Sequence, residues 1–227
     1  MTDAVPTLYL PDFATLPIVG CSPPGWACQL ALEEKSVMRT DHWLDFAAGA
    51  HRTPEMLARN PRGTVPVLEH GEHVVYETQA ILAYIDQTWR MPVLLPPRFR
   101  ASALTRLHEA SHLQNAGMDL FGWLMRSAAS DRTPERMAAR VTMLWRELQR
   151  WETHLDGQDF VAGPWLSLAD LLVYPYLATA KRLGLDLSRE LPRLEAYAAR
   201  MRSRSAVIRT WPEPWADEQG PRPLAGL

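Results

Sequence analysis

The stretch Asn60-Pro61-Arg62-Gly63-Thr64-Val65-Pro66-Val67-Leu68, answered nine residues later by Glu77-Thr78, decides the fold. Asn60 to Gly63 has turn composition, because Pro presets φ, Gly tolerates left-handed backbone and Asn bonds its own main chain. Val65 to Leu68 and His73 to Val75 are β-branched and flank Gly71, which predicts two short paired strands. From Glu77 to Trp89 the apolar residues Ala80, Ile81, Tyr84 and Ile85 recur at helical spacing.

Upstream, Thr7 to Leu10 reads as a strand that Pro11 and an irregular stretch through Gly20-Cys21-Ser22-Pro23-Pro24-Gly25 bring to an end. A helix is expected from about Pro24 to Val37, with Ser22 near its entrance and Pro24 where a missing N–H is harmless. A strand near His42 to Phe46 and a short helix around Pro54 to Ala58 follow. Residues 1–89 therefore run β-α-β-α-β-β-α, a mixed sheet with helices packed on it. Residues 90–98, with Pro92, Pro96 and Pro97, have linker composition. Beyond them, in residues 99–227, no strand pattern occurs. Phe99 to Met125, Pro134 to His154, Leu168 to Leu183 and Leu191 to Met201 predict an all-α second domain. Trp211 and Trp215 are expected to fold back on this bundle, and the last seven or so residues to be loose.

Composition narrows the function. A chain of 227 residues with a net charge of -2 and 47% hydrophobic residues is an ordinary globular protein. Its basic residues are 22 Arg and only two Lys, Lys35 and Lys181, without the local cluster that nucleic acid or an anionic lipid surface requires. Neither partner is expected. Two cysteines, Cys21 and Cys28, preclude a disulfide scaffold and an all-cysteine zinc site. With Asp3 early, no basic leader, and no apolar run near the roughly 20 residues that span a bilayer, the expected location is cytoplasmic.

Read together, these segments resemble the cytosolic glutathione transferases over about residues 7–205. The resemblance implies a thioredoxin-like N-terminal domain with an all-α C-terminal domain, and glutathione as co-substrate or cofactor, with no metal. It implies a cis Pro66 that turns the backbone of Val65 toward the cysteinyl part of glutathione, while Glu77 and Thr78 hold the γ-glutamyl end. Physically, a hydroxyl at a helix entrance can cap free N–H groups and present them to a carboxylate, and Glu77 can receive an ammonium. His51 or Arg52 would contact the glycyl carboxylate.

The run from Ser22 to Lys35 is similar to the first helix of serine-type and cysteine-type bacterial members. Counting back from Ala31-Leu32 puts Ser22 in the activating position, where a hydroxyl at a helix N-terminus can stabilise a thiolate. A register shifted by one residue would give that place to Cys21, and with it thiol exchange rather than transfer. Cys28 is expected in the core. One departure stands out: eleven residues separate Leu10 from Ser22, where the family needs only a few. Phe160 to Asp170 is similar to the family's buried capping motif, with Ser167 and Asp170 answering each other's N–H.

His108-Glu109-Ala110-Ser111-His112 matches the HExxH zinc-hydrolase spacing. The alternatives are a zinc site, a polar or acid-base group facing the second substrate, and simple hydrogen bonding. Met118 and Phe121, with Met125, are expected beside an apolar electrophile. The resulting reading is an enzyme of detoxification, a homodimeric transferase that activates the glutathione thiol. An isomerase, lyase or thiol reductase, or a low-turnover binding module of the same fold, is the alternative.

Overall fold

The computed structural model describes residues 4–217 and 219–226, so Asp3, used above, lies outside it. Four strands and three helices form the first layer: β1 (Thr7–Pro11), α1 (Pro23–Glu34), β2 (Thr40–Leu44), α2 (Pro54–Arg59), β3 (Val67–His70), β4 (His73–Tyr76) and α3 (Thr78–Thr88). The sheet order is β2-β1-β3-β4, with β1 and β2 parallel and the other pairs antiparallel. This is a mixed α/β layer followed by an all-helical unit, as expected.

Boundaries move for local reasons. The β2 strand begins two residues earlier than predicted because it pairs with β1 from Thr40 opposite Thr7 to Leu44 opposite Pro11. The β3 strand starts at Val67, one residue past Pro66, which has no N–H to give a ladder. The α1 helix stops at Glu34, and Ser36 takes a left-handed φ of 54°. At its end Lys35, buried, donates to Asp86 of α3 at 2.6 Å and to the Pro92 carbonyl at 2.5 Å, clipping α1, α3 and the linker together.

The helical unit comprises α4 (Arg100–Arg126), α5 (Pro134–His154), α6 (Leu168–Arg182), α7 (Pro192–Arg202) and the short α8 (Ser205–Arg209). The α6 helix is almost wholly buried and packs against both α1 and α4. Its start is fixed by Asp170, which accepts from the Ser167 N–H and hydroxyl, both at 2.8 Å, and from the Val161 N–H at 2.9 Å. The predicted reciprocal cap is present, and the Ser167 hydroxyl in addition donates to the carboxylate. Burial raises the Asp170 pKa to about 6.

Both tail tryptophans fold back. Trp26 of α1, Tyr174, Trp211 and Trp215 form one aromatic cluster with ring centroids about 5 to 6 Å apart. Trp215 Nε1 donates to the Val19 carbonyl at 2.8 Å, and the Arg202 guanidinium lies over the Trp211 ring. The expectation of a loose last segment fails for residues 221–226: Leu224 is completely buried and its N–H bonds to the Leu183 carbonyl. Leu227 lies outside the described residues.

Among the described residues no helix is long and apolar enough to cross a membrane.

Candidate functional site

A cleft of about 490 Å³ opens between the first layer and the C-terminal end of α4. Its floor is the entrance of α1. Ser22 is the N-cap there, half-buried, and its hydroxyl oxygen accepts from the Gly25 N–H at 3.4 Å. Pro23 and Pro24 occupy the first two helical positions, so two N–H groups that usually face an anion at a helix start are missing. The Ser22 hydroxyl is left as a donor at that point, since its proton is not used in accepting from Gly25.

Cys21 also borders the cleft but is only 2% exposed, and burial pushes its thiol pKa well up. A thiol held protonated is a poor nucleophile. Cys28 is fully buried in the core, as expected, and burial raises its thiol pKa in the same way.

The quoted stretch builds the opposite wall. Buried Asn60 donates to the Thr64 carbonyl at 2.8 Å and accepts from the Arg62 N–H at 3.1 Å, while Gly63 supplies the left-handed φ of 61°. This turn delivers Val65 to the cleft, and the Val65–Pro66 bond is cis. Farther along, Glu77 takes a φ of 69° just before α3; it is exposed, and its Oε1 lies 3.6 Å from Arg62 Nε. Thr78 is the first residue of α3 and is buried, and no side chain caps this helix start. The expectation that Thr78 itself caps the helix is therefore corrected: Glu77 holds the cap position, and the α3 N–H groups stay open.

His51 enters the cleft from the segment between β2 and α2, stacked on Phe46 with ring centroids 3.9 Å apart. Its Nδ1 is buried and has no hydrogen-bond partner among the described residues. Burial, and then the charge of Arg52, lower its pKa below the ordinary 6.5. Arg52 itself is not part of the cleft wall.

The far wall is one helical face: Met118, Phe121, Gly122, Met125 and Arg126 follow the spacing of a single stripe on α4. His108 and His112 do not belong to it. Both are exposed, and His108 lies ten residues before Met118, about 15 Å back along the axis at 1.5 Å per residue. Neither of the two is brought to the cleft where a second substrate is expected. Glu109 between them bonds to Arg106 at 2.6 Å and to His154 at 3.0 Å, so this carboxylate of the HExxH stretch links α4 to α5.

Sequence reading missed part of the wall. The long segment after β1 is a 3-10 turn at Phe13–Thr15 followed by a second turn, closed by the Gly20 N–H on the Leu16 carbonyl at 2.7 Å, and Thr15, Leu16 and Val19 line the cleft. The tail fixes it in place, with the Trp215 ring packed against Gly20, whose φ is 64°. No sequence pattern joins residues nearly 200 positions apart. Gly122 and Arg126, in contrast, continue the Met118–Phe121–Met125 stripe and were legible from that spacing.

The family models "Glutathione S-transferase, N-terminal domain" and "Glutathione S-transferase, C-terminal domain" match residues 18–87 and 116–205. Glutathione S-transferase A of Pleuronectes platessa is 30% identical over 203 residues, covering 86% of this chain and 90% of that protein. A glutathione S-transferase structure from the Antarctic clam Laternula elliptica superposes with a TM-score of 0.80 at 27% identity, covering 98% and 99% of the two chains. The theta-class glutathione S-transferase of Xanthomonas axonopodis pv. citri, solved with glutathione bound, gives 0.77 at 26% identity, covering 91% and 97%.

Proposed function

Because this chain belongs to the glutathione S-transferase family and is a glutathione-dependent enzyme, we propose that it transfers the glutathione thiolate to an apolar electrophile held in the cleft. The observation that carries this reading is the meeting of Ser22 and Val65 across one apolar space. In this reading the Val65 backbone pairs with the cysteinyl unit, and Thr78 with the open N–H groups of α3 receives the γ-glutamyl carboxylate. Glu77 receives the ammonium, and His51 faces the glycyl carboxylate. The thiol loses its proton to solvent, the Ser22 hydroxyl donates to the resulting anion, and the sulfur bonds to the electrophilic carbon as that carbon's bond to its leaving group breaks with the electron pair on the leaving group. The electrophile lies against Met118, Phe121 and the loop residues Leu16 and Val19. Homodimeric assembly and a cytoplasmic, detoxifying role complete the proposal.

The alternative in which Cys21 exchanges disulfides needs a thiolate at a fully desolvated sulfur, which burial opposes. Ser22→Ala is expected to lower the rate with 1-chloro-2,4-dinitrobenzene by about tenfold to a thousandfold, roughly 1.4 to 4 kcal/mol of transition-state stabilisation. It should also raise the apparent pKa of the bound thiol, followed by thiolate absorbance against pH. Cys21→Ser should keep most of the activity. Loss of activity in Cys21→Ser together with an unshifted thiol titration in Ser22→Ala would assign the chemistry to the cysteine.

A further inference from the structure

The wall of the cleft is apolar apart from a few groups, and among the described residues that line it there is no Asp or Glu. It holds one permanent cation. Arg126, at the last turn of α4, borders the cleft, and among the described residues it forms no ion pair or hydrogen bond. Neighbouring guanidinium groups are engaged: Arg140 lies 3.2 Å from Asp119 and over the Trp123 ring, and Arg132 donates to the Ser127 carbonyl at 2.6 Å. Arg126 is the exception.

Its position is built by the helix. A methyl group at Gly122 would lie 2.8 Å from Arg126 Nη1 and 3.1 Å from Nη2, so the guanidinium rests directly on the backbone one turn back. The nearest atoms that such a methyl group would meet all belong to the Arg126 guanidinium, so the bare backbone of Gly122 is covered by that head group. Met118, Phe121 and Met125 lie on the same face and form an apolar shelf leading to it. A planar forked donor at the end of an apolar shelf recognises a carboxylate.

We infer that the second substrate is an apolar electrophile bearing a carboxylate, and that Arg126, seated on Gly122, receives that carboxylate while the ring or chain lies on Met118 and Phe121. Arg126 is a specificity residue for the transfer, and the inference rests on the glutathione-dependent reading of the same cleft. It is separate from His51, which belongs to the first layer and faces the cleft from the other side.

The test uses 4-chloro-3,5-dinitrobenzoate and its methyl ester. In both, the glutathione sulfur bonds to the ring carbon that carries chlorine, the carbon–chlorine bond breaks with its electron pair on chloride, and the thiol proton goes to solvent. The full-length protein should favour the acid over the ester in kcat/KM by tenfold or more, with a preference that shrinks as salt is raised, because the guanidinium is exposed enough to be screened. Arg126→Gln should abolish the preference, Arg126→Lys should retain part of it, and Gly122→Ala, which keeps the charge but displaces it, should weaken it.

A second readout needs no turnover: calorimetric binding of 3,5-dinitrobenzoate, which has no leaving group, should fall tenfold or more in Arg126→Gln. An acid preference that survives Arg126→Gln, or that vanishes in His51→Gln instead, overturns the assignment, as does the absence of dinitrobenzoate binding to the unaltered protein. Failure of glutathione to bind while dinitrobenzoate binding still depends on Arg126 would remove the transferase reading and leave the carboxylate site standing.

Discussion

At the scale of single residues, the difference between Ser22 and Cys21 is one of solvation rather than chemical capacity. Thiols are intrinsically the stronger nucleophiles, but only as thiolates, and Cys21 sits where the charged form is costly. Ser22 needs no charge to donate a hydrogen bond. His51 is governed by the same balance: its ring is kept neutral by burial and by Arg52, with Nδ1 unpartnered. A carboxylate arriving there favours the protonated ring, so binding draws in a proton at pH values between the lowered free-ring value and the higher value in the complex. Affinity then falls as pH rises through neutrality. S-methylglutathione, whose sulfur does not titrate, isolates the effect. Calorimetry in buffers of different ionisation heat should show proton uptake that disappears in His51→Gln, and no uptake in the unaltered protein would remove His51 from the glycyl end.

At the scale of elements, α6 carries a pH signature. The folded Asp170 carboxyl keeps its proton up to about pH 6, whereas the unfolded one releases it near 3.8. Between those values the folded state binds more protons, so the contribution of this group to stability falls as pH rises, by about 3 kcal/mol across the window. The value of about 6 is already the net of burial, which raises it, and of the donors that converge on the carboxylate, which lower it. Asp170→Asn replaces an acceptor oxygen by a donor facing donors, and is expected to cost about 2 to 4 kcal/mol at pH 7 while flattening the pH dependence between 4 and 6. Denaturant unfolding of both proteins across that range measures it. An equally steep profile in the variant would show that other groups set the slope.

At the scale of the whole molecule, α1 is where the two parts of the chain meet. It packs on α6, Glu34 takes a bidentate pair from Arg204 at 2.7 and 2.9 Å, and Glu33 is ion-paired with Arg209. The tail from α8 onward returns over α1 and locks the loop that leads to Ser22, so the geometry of the proposed thiolate site depends on residues from both ends of the sequence. Elsewhere on the first layer and the linker, Val74, Met91 and Val93 remain 42%, 71% and 43% exposed. Apolar side chains left open here suit a two-fold interface with a second copy. Sedimentation is expected to give about twice the chain mass of 25.7 kDa at micromolar concentration. A single-chain mass at every concentration would refute the dimer.

The sequence by itself determined what short-range pattern and local chemistry determine. The turn at Asn60 to Gly63, the paired strands beyond it, the caps at Ser22 and Ser167 and the helical stripes all rest on interactions within a few residues, and each is found where its pattern lies. The Met118–Phe121 face was legible for the same reason. Tertiary structure alone decided solvation and long-range meeting. Adjacent Cys21 and Ser22 differ in exposure because Cys21 packs into the core cluster while Ser22 stays half-buried at the cleft, and His108 and His112 share a helix with the cleft wall without lining it. Trp215 fixes Val19 across 196 positions. Burial and contacts of that range depend on how complete elements pack, and no local periodicity encodes them.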